Sequence, residues 1–226
     1  MFRPRLMVES ERAFTLVELL IVIVIVAVLA IGGFAGYESL RRGADRSVAL
    51  TQLRQIGAAI VSYGGEHGGR FPGPMWPGQM PMVDPARDGR LSRDLAPYLG
   101  GPVPTQPELS SIFIPPAYRK AVEPSRLNDA RTYVLNMEVP LEDGTVINPW
   151  GSLADPKSPR SLSQTIPPGN IWAMADADQK NPRVASAGWK ANTPLDPIHG
   201  RERQALYFDG RAATVSEGEL ARPVAR

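Results

Sequence analysis

A long apolar run near the start of the chain constrains the fold more than any other feature. It begins at Phe14 and reaches Phe34, and no charged residue occurs from Leu19 to Tyr37. These residues, about 19 of them, approach the ~20 that a helix needs to cross a hydrocarbon core. A helix is also the one structure that satisfies every backbone polar group of a single segment in lipid. Glu18 is the exception, because a carboxylate inside the apolar edge is costly and usually marks function.

The letters A-F-T-L-V-E-L-L span the junction between a 13-residue head and the apolar run. Over Ala13 to Tyr37 the chain resembles type IV prepilins and type II secretion pseudopilins. The resemblance implies that a prepilin peptidase cuts between Ala13 and Phe14 and that Phe14 becomes N-methylated. Glu18 matches the family's acidic residue at the fifth mature position, which is thought to pair with the N-terminal amine of a neighbouring subunit during assembly. The family usually has Gly where this chain has Ala13 before the cut.

Other interpretations of the apolar run are an ordinary single-pass anchor, a buried core helix and a secretory signal peptide. A signal peptide would be cut near Val28-Leu29-Ala30. Glu18 argues against it, because the charge interrupts the junction between the basic and apolar regions. Soluble domains seldom carry an uncharged run of this length, which argues against a core helix.

Length and composition limit the remainder of the chain. The 226 residues allow one anchor and one modest domain. The net charge is +2, without a basic cluster interleaved with aromatic residues, so nucleic acid is not predicted as a partner. The absence of cysteine excludes disulfides and thiolate metal sites. Arg3, Arg5 and Arg12 precede the apolar run and favour a cytoplasmic N-terminus, with the globular part across the inner membrane.

Helical character is predicted to continue beyond the apolar run. From Ser47 to Tyr63, apolar residues recur every three to four positions, which indicates an amphipathic helix that is ended by Gly64-Gly65 and then Gly68-Gly69. A single helix from about Thr15 to Tyr63 would span roughly 70 Å at about 1.5 Å per residue. We therefore divide the chain into a leader peptide (1–13), a transmembrane and assembly helix (14–36), the exposed amphipathic half of that helix (37–65) and a globular head (66–226).

The head is predicted to be rich in loops, with short helices and strands. Leu91 to Leu99 reads as a short helix capped by Ser92, and 116–122 as one or two helical turns, while 111–114 is at most a short strand. Strands are expected at 131–139, 145–147, 170–176, 204–208 and 212–215. The predicted fold class is therefore α+β and pilin-like, with one long N-terminal helix packed on a small antiparallel sheet that has long loops.

The C-terminal region carries an H-x9-D-G spacing formed by His199, Asp209 and Gly210. Asp209-Gly210 is a turn dipeptide, so the flanking strands are predicted to form a hairpin, and His199 to fix the loop that precedes it. This spacing, together with the segment Gln52 to Pro72, resembles the large pilin-like group of planctomycetes and related bacteria. His67 falls in the turn of that segment, where we expect a solvated loop histidine.

Catalytic and metal chemistry find little support in the sequence. A calcium ion near Asp176 and Asp178, with His199 and Asp209 close by, is an alternative to structural roles for these residues. The D-A-D pattern falls short of the several alternating carboxylates of a calcium loop. No serine lies in a nucleophile elbow and no phosphate-binding glycine loop is present. We predict no catalytic residue, no metal and no cofactor.

The leading hypothesis is therefore a structural subunit of a type IV pilus-like or pseudopilus-like filament. Its expected partners are the prepilin peptidase, further copies of the chain, other pilin-like subunits and inner-membrane lipid. One alternative is a membrane-tethered binding module outside the cytoplasm, whose Pro-, Gly- and Trp-rich loops contact a ligand. Another is an exported enzyme behind a signal peptide.

Overall fold

The first element of the structure is a long helix, α1, over Leu16–Glu66. The computed structural model describes residues 14–141, 143–154, 158–162 and 171–221, without the side chains of residues 32–36, 217 and 221. The chain divides into two compact units, Met1–Arg41 and Arg42–Arg226. The prediction of one long N-terminal helix is confirmed, and the leader peptide lies outside the described residues.

The last residue of α1, Glu66, lies between the two predicted glycine pairs. Gly64 stays helical, and a Cβ atom built on it would lie 2.2 Å from Cδ1 of Leu162, so this glycine serves close packing and does not stop the helix. Gly68 and Gly69, at φ 64° and 75°, make the left-handed exit that glycine favours. The Gly69 N–H donates to the Gly64 carbonyl at 2.7 Å and closes the last turn.

A five-stranded antiparallel sheet forms the centre of the second unit. Its strand order is β1-β4-β7-β8-β9, and two further pairs, β2-β3 and β5-β6, lie outside it. The strands are β1 Gly78–Gln79, β2 Met82–Val83, β3 Glu108–Leu109, β4 Tyr133–Leu135, β5 Val139–Pro140, β6 Val146–Ile147, β7 Trp172–Asp176, β8 Glu202–Tyr207 and β9 Ala212–Ser216. The described short helices are α2 Leu91–Asp94, α3 Pro116–Ala121 and α4 Glu217–Ala221.

The C-terminal part of α1 covers one face of this sheet. Leu53, Ile56 and Ile60 belong to the same buried cluster as Tyr133 and Leu135 of β4. The amphipathic spacing places these side chains on one stripe, which buries apolar area against the strands. Gly57 permits a close approach, because a Cβ there would lie 2.9 Å from Cδ1 of Leu206.

The opposite face of the sheet is also buried. Val134, Ala175 and Val215 form a second cluster with Val184 and Leu220, so the central strands are covered on both sides. A register shift between Trp172 and Met174 marks a bulge in the pairing of β7 with β8. Double coverage explains why β4 and β7 are buried throughout and do not alternate between buried and exposed residues.

Several local predictions are corrected by the structure. Ser92 does not cap α2; its Oγ donates to the Met82 carbonyl at 2.8 Å, and Arg90 is the N-cap residue. The segment Ser111–Phe113 forms a 3-10 turn, and the strand lies upstream at β3. The strand predicted over 131–139 is divided: Tyr133–Leu135 form β4, residues 136–138 are irregular, and Val139 begins β5.

Candidate functional site

The start of α1 is built as a reciprocal capping box. Thr15 N–H and Oγ each lie 2.9 Å from Oε2 of Glu18, and the Glu18 N–H donates to Thr15 Oγ at 3.2 Å. A T-x-x-E spacing allows this because residues Ncap and N3 of a helix can satisfy each other's backbone N–H groups. Glu18 therefore has a hydrogen-bonding role within its own chain. Ala13 lies outside the described residues.

The helix beyond this box exposes its apolar side chains. Phe14 is 79% exposed, and the large apolar side chains from Leu16 to Ile31 are between 49% and 87% exposed. Among the residues described by the structure, which omit the side chains of 32–36, no helix is long and apolar enough to cross a membrane.

The hairpin of β8 and β9 places Asp209 and Gly210 at its exposed tip. Gly210 has φ 84°, and its N–H donates to the Tyr207 carbonyl at 3.0 Å. Asp209 Oδ1 accepts the Arg211 N–H at 2.9 Å. These contacts form a local Asx-type turn of the kind that aspartate and glycine favour.

His199 lies just before the same hairpin and is buried. It forms an isolated β-bridge with Glu202, and its carbonyl accepts a hydrogen bond from Arg46 of α1 at 3.2 Å. Arg46 also pairs with Glu202 at 3.0 Å. Through these contacts α1 holds the chain that leads into β8.

The two aspartates of the D-A-D segment, Asp176 and Asp178, are buried. Asp178 forms a fully buried, bidentate ion pair with Arg203, with oxygen–nitrogen distances of 2.5 and 2.8 Å. Asp176 Oδ2 accepts the Gln204 N–H at 2.7 Å and lies 3.8 Å from His199 Nε2. The structure thus groups Asp176, Asp178 and His199, whereas Asp209 makes its contacts at the hairpin tip.

Electrostatics disfavour charge on two members of this group. Burial raises the pKa of Asp176 to about 7, although the Gln204 N–H opposes the rise. Burial lowers the pKa of His199 to about 4, and the nearby positive charge of Arg46 lowers it further. Asp176 Oδ1 and His199 Nε2 are buried without a hydrogen-bond partner among the described residues. The group is a buried polar network with unsatisfied members.

Among the residues that the structure describes, no group of three or more His, Cys, Asp or Glu residues is positioned to hold a metal ion. Both carboxylate oxygens of Asp178 already engage the Arg203 guanidinium. Asp176 and His199 would supply at most one oxygen and one imidazole nitrogen.

Two residues with clear roles were missed by the sequence analysis. Thr15 is half of the capping box, and its signal, a threonine three positions before a glutamate, is present in the sequence. Arg203 is a fully buried cation near the start of β8, which reads E-R-Q-A-L-Y. A buried arginine needs an acidic partner, but the polar residues on either side of Arg203 give no sign in the sequence that this position is buried.

Comparison with known proteins places the N-terminal region in a defined class. Residues 10–34 match the family described as the prokaryotic N-terminal methylation motif. No curated protein and no solved structure matches the chain.

The matched residues include the expected cut, Phe14 and Glu18. The chain therefore carries the N-terminal motif of type IV prepilin-like and pseudopilin-like proteins. The predicted α+β fold, with a long N-terminal helix on a small antiparallel sheet, is confirmed by the structure.

Proposed function

We propose that this protein is a structural subunit of a type IV pilus-like or pseudopilus-like filament. The observation that carries the proposal is the methylation motif over residues 10–34, followed by helical turns whose apolar side chains are exposed. Exposed apolar surface of this extent is costly in water and requires cover by lipid or by other apolar helices. No catalytic step is assigned to the chain.

The proposed pathway begins with a membrane-anchored precursor. Residues 14–36 hold it in the inner membrane, with the basic head in the cytoplasm and the globular head on the other side. Prepilin peptidase cuts between Ala13 and Phe14, and the new N-terminus is methylated. The apolar helix then packs against those of other subunits. The motif and the three head arginines support this order of events.

Glu18 has two separable roles in the proposal. It caps α1 through Thr15, and its charge pairs with the N-terminal amine of a neighbouring subunit, since an ammonium compensates a carboxylate in an apolar environment. Glutamine can also serve in a capping box. Glu18→Gln therefore retains the cap without the charge, Glu18→Leu removes both, and Thr15→Ala weakens the cap while retaining the charge.

Filament incorporation of these three variants, measured in cells alongside the membrane-bound amount of each, tests the proposal. We expect Glu18→Gln and Glu18→Leu to insert normally and to reduce incorporation at least tenfold, and Thr15→Ala to assemble nearly as wild type. Normal incorporation of both Glu18 variants would overturn the charge-pairing mechanism. Normal assembly of Glu18→Gln with failure of Thr15→Ala would assign the role to capping.

A further inference from the structure

A pocket in the second unit combines two tryptophans with two arginines. It encloses about 540 Å³, within the size range of small-ligand pockets. Trp76, Trp189, Arg90 and Arg131 are among its lining residues, together with the thioether side chain of Met137. Neither the methylation motif nor the hairpin uses any of these residues. The pocket is therefore separate from the features on which the proposed function rests.

Both tryptophan rings lie in close contact with a glycine. A Cβ on Gly78 would lie 2.8 to 2.9 Å from three ring carbons of Trp189, and a Cβ on Gly89 would lie 2.9 Å from Cδ1 of Trp76. Gly89 also has φ 73°, a conformation that side-chain-bearing residues rarely adopt. The backbone thus approaches each ring closely and limits its movement. Trp76 remains 41% exposed, so part of a large apolar ring faces solvent.

The two arginines form no direct ion pair with a carboxylate of the described residues. Among the described residues, no carboxylate lies within salt-bridge distance of Arg90 or Arg131, whereas Arg87 pairs with Asp84 at 3.0 Å. Their recorded hydrogen bonds go to backbone carbonyls, Arg90 to Gly78 and Arg131 to Asp129, both at 2.9 Å. The Nε atom of Arg90 is buried without a partner in the described part of the chain. Arg90 therefore retains one donor that no described residue satisfies.

The positive charge at this pocket is only partly compensated, because Asp129 favours the charged form of Arg131. Burial, together with the charges of Arg131 and Arg87, lowers the pKa of Arg90 to about 10. Burial lowers the pKa of Arg131 as well; the carboxylate of Asp129 opposes this fall, and the charge of Arg87 adds to it. An anion bound at the pocket would relieve this repulsion. Guanidinium groups bind carboxylates in a two-pronged geometry that ammonium groups cannot reproduce.

From these features we infer that the pocket binds a saccharide that carries a carboxylate, such as a uronic acid unit of an acidic polysaccharide. The C–H face of a pyranose ring packs on the electron-rich face of an indole, and the arginines receive the carboxylate. This inference is independent of filament assembly.

Two other ligand classes fit the observations less well. Nucleic acid requires a basic groove that follows successive phosphates, whereas this pocket has two arginines and the chain has a net charge of only +2. A peptide strand added to the edge strand β1 would need its backbone groups. The Gly78 carbonyl already accepts Arg90, and the Trp189 ring lies against Gly78.

The test uses the full chain in detergent micelles, titrated with a galacturonic acid trimer and followed by tryptophan fluorescence and calorimetry. We expect saturable binding of the trimer and none of a neutral galactose trimer. Trp76→Ala and Arg131→Gln should each weaken binding at least tenfold, and Trp76→Phe should weaken it less than Trp76→Ala. Arg54→Gln, at an exposed position of α1, is the matched charge control and should bind as wild type.

Thermal unfolding of each variant establishes that the head remains folded. Absence of saturable binding by the folded wild type would overturn the inference. Equal weakening by Arg131→Gln and Arg54→Gln would also overturn it, because binding would then depend on net charge alone. Tighter binding of a single-stranded oligonucleotide of the same charge would assign the pocket to nucleic acid instead. Failure of the Glu18 variants to affect assembly would leave this result unchanged.

Discussion

Arg203 lies in β8 with no exposed surface, so its guanidinium has lost its hydration and depends on Asp178 for compensation. Removal of one partner from such a pair leaves an isolated buried charge, which costs more than the pair contributes. By contrast, Arg183 and Glu138 form an ion pair nearer the surface. The two pairs allow a direct comparison of buried and exposed electrostatics in one protein.

We predict that Arg203→Met lowers the free energy of unfolding by about 3–5 kcal/mol. Adding Asp178→Asn should restore part of that loss, because the amide oxygen still accepts the Lys180 N–H while the unpaired charge is gone. Denaturant unfolding of the full chain in micelles measures both effects. Arg183→Met is the control and should cost under about 1 kcal/mol. A similar loss in the two single variants would contradict the role assigned to burial.

Asp176 should make the head less stable as the pH rises. Its pKa is about 7 when folded and 3.8 as the ordinary value, so between these limits the folded state binds a proton that the unfolded state has released. Stability then falls with increasing pH across that window. We expect Asp176→Asn to remove this slope, seen as a melting-temperature difference from wild type that grows from pH 5 to 7.

His199 should make the head less stable as the pH falls. Its folded pKa of about 4 lies below the ordinary value of 6.5, so the stability it contributes falls as the pH drops through that range. The same series of melting temperatures, measured on His199→Gln, gives the contribution of His199 to the pH dependence of stability. If His199→Gln and Asp176→Asn changed the pH profile in the same direction, the assigned shifts would be wrong.

At the scale of elements, one stripe of α1 attaches the helix to the sheet. Leu53 and Ile56 are fully buried there, whereas Val61 on the same helix is 61% exposed. The spacing of apolar residues from Ser47 to Tyr63 predicted this face, because a helix can bury a single stripe against a sheet. The two glycine pairs also located the helix end, but the sequence did not show that Gly64 permits close packing against Leu162.

Ile56→Ala should therefore destabilise the protein by about 2–5 kcal/mol through lost burial and the cavity left behind. Val61→Ala, also on α1, should change stability by less than about 0.5 kcal/mol. Circular dichroism during denaturant unfolding compares the two. Equal effects would mean that the buried cluster contributes little to the stability of the head.

The sequence predicted the long helix, the α+β class and the final hairpin because each rests on a strong local signal. The hairpin, for example, follows from a turn dipeptide between two β-prone runs, and Asp209 and Gly210 occupy that turn. Strands of two residues, such as β2 and β3, have no periodicity to detect. Arg203 and the tryptophan pocket depend on contacts between distant segments, so spacing along the chain did not reveal them.

For the whole molecule, the proposed processing predicts one defined product. Intact mass and N-terminal sequencing of protein from native membranes should show a chain that begins at Phe14 with one added methyl group. A chain that begins near Ile31 would indicate a secreted soluble domain. An uncut Met1 would indicate a plain anchor, or that Ala13 prevents cleavage.

The capping box also bears on how a peptidase could reach its substrate. Proteases bind the residues around the cut as extended chain, and a helical segment must first unwind. Phe14 and Thr15 are not helical, and α1 starts at Leu16. On the carboxyl side of the proposed cut, two non-helical residues therefore precede the first turn, which the Thr15–Glu18 hydrogen bonds close. The helix that enters the filament would already be folded when its leader is removed.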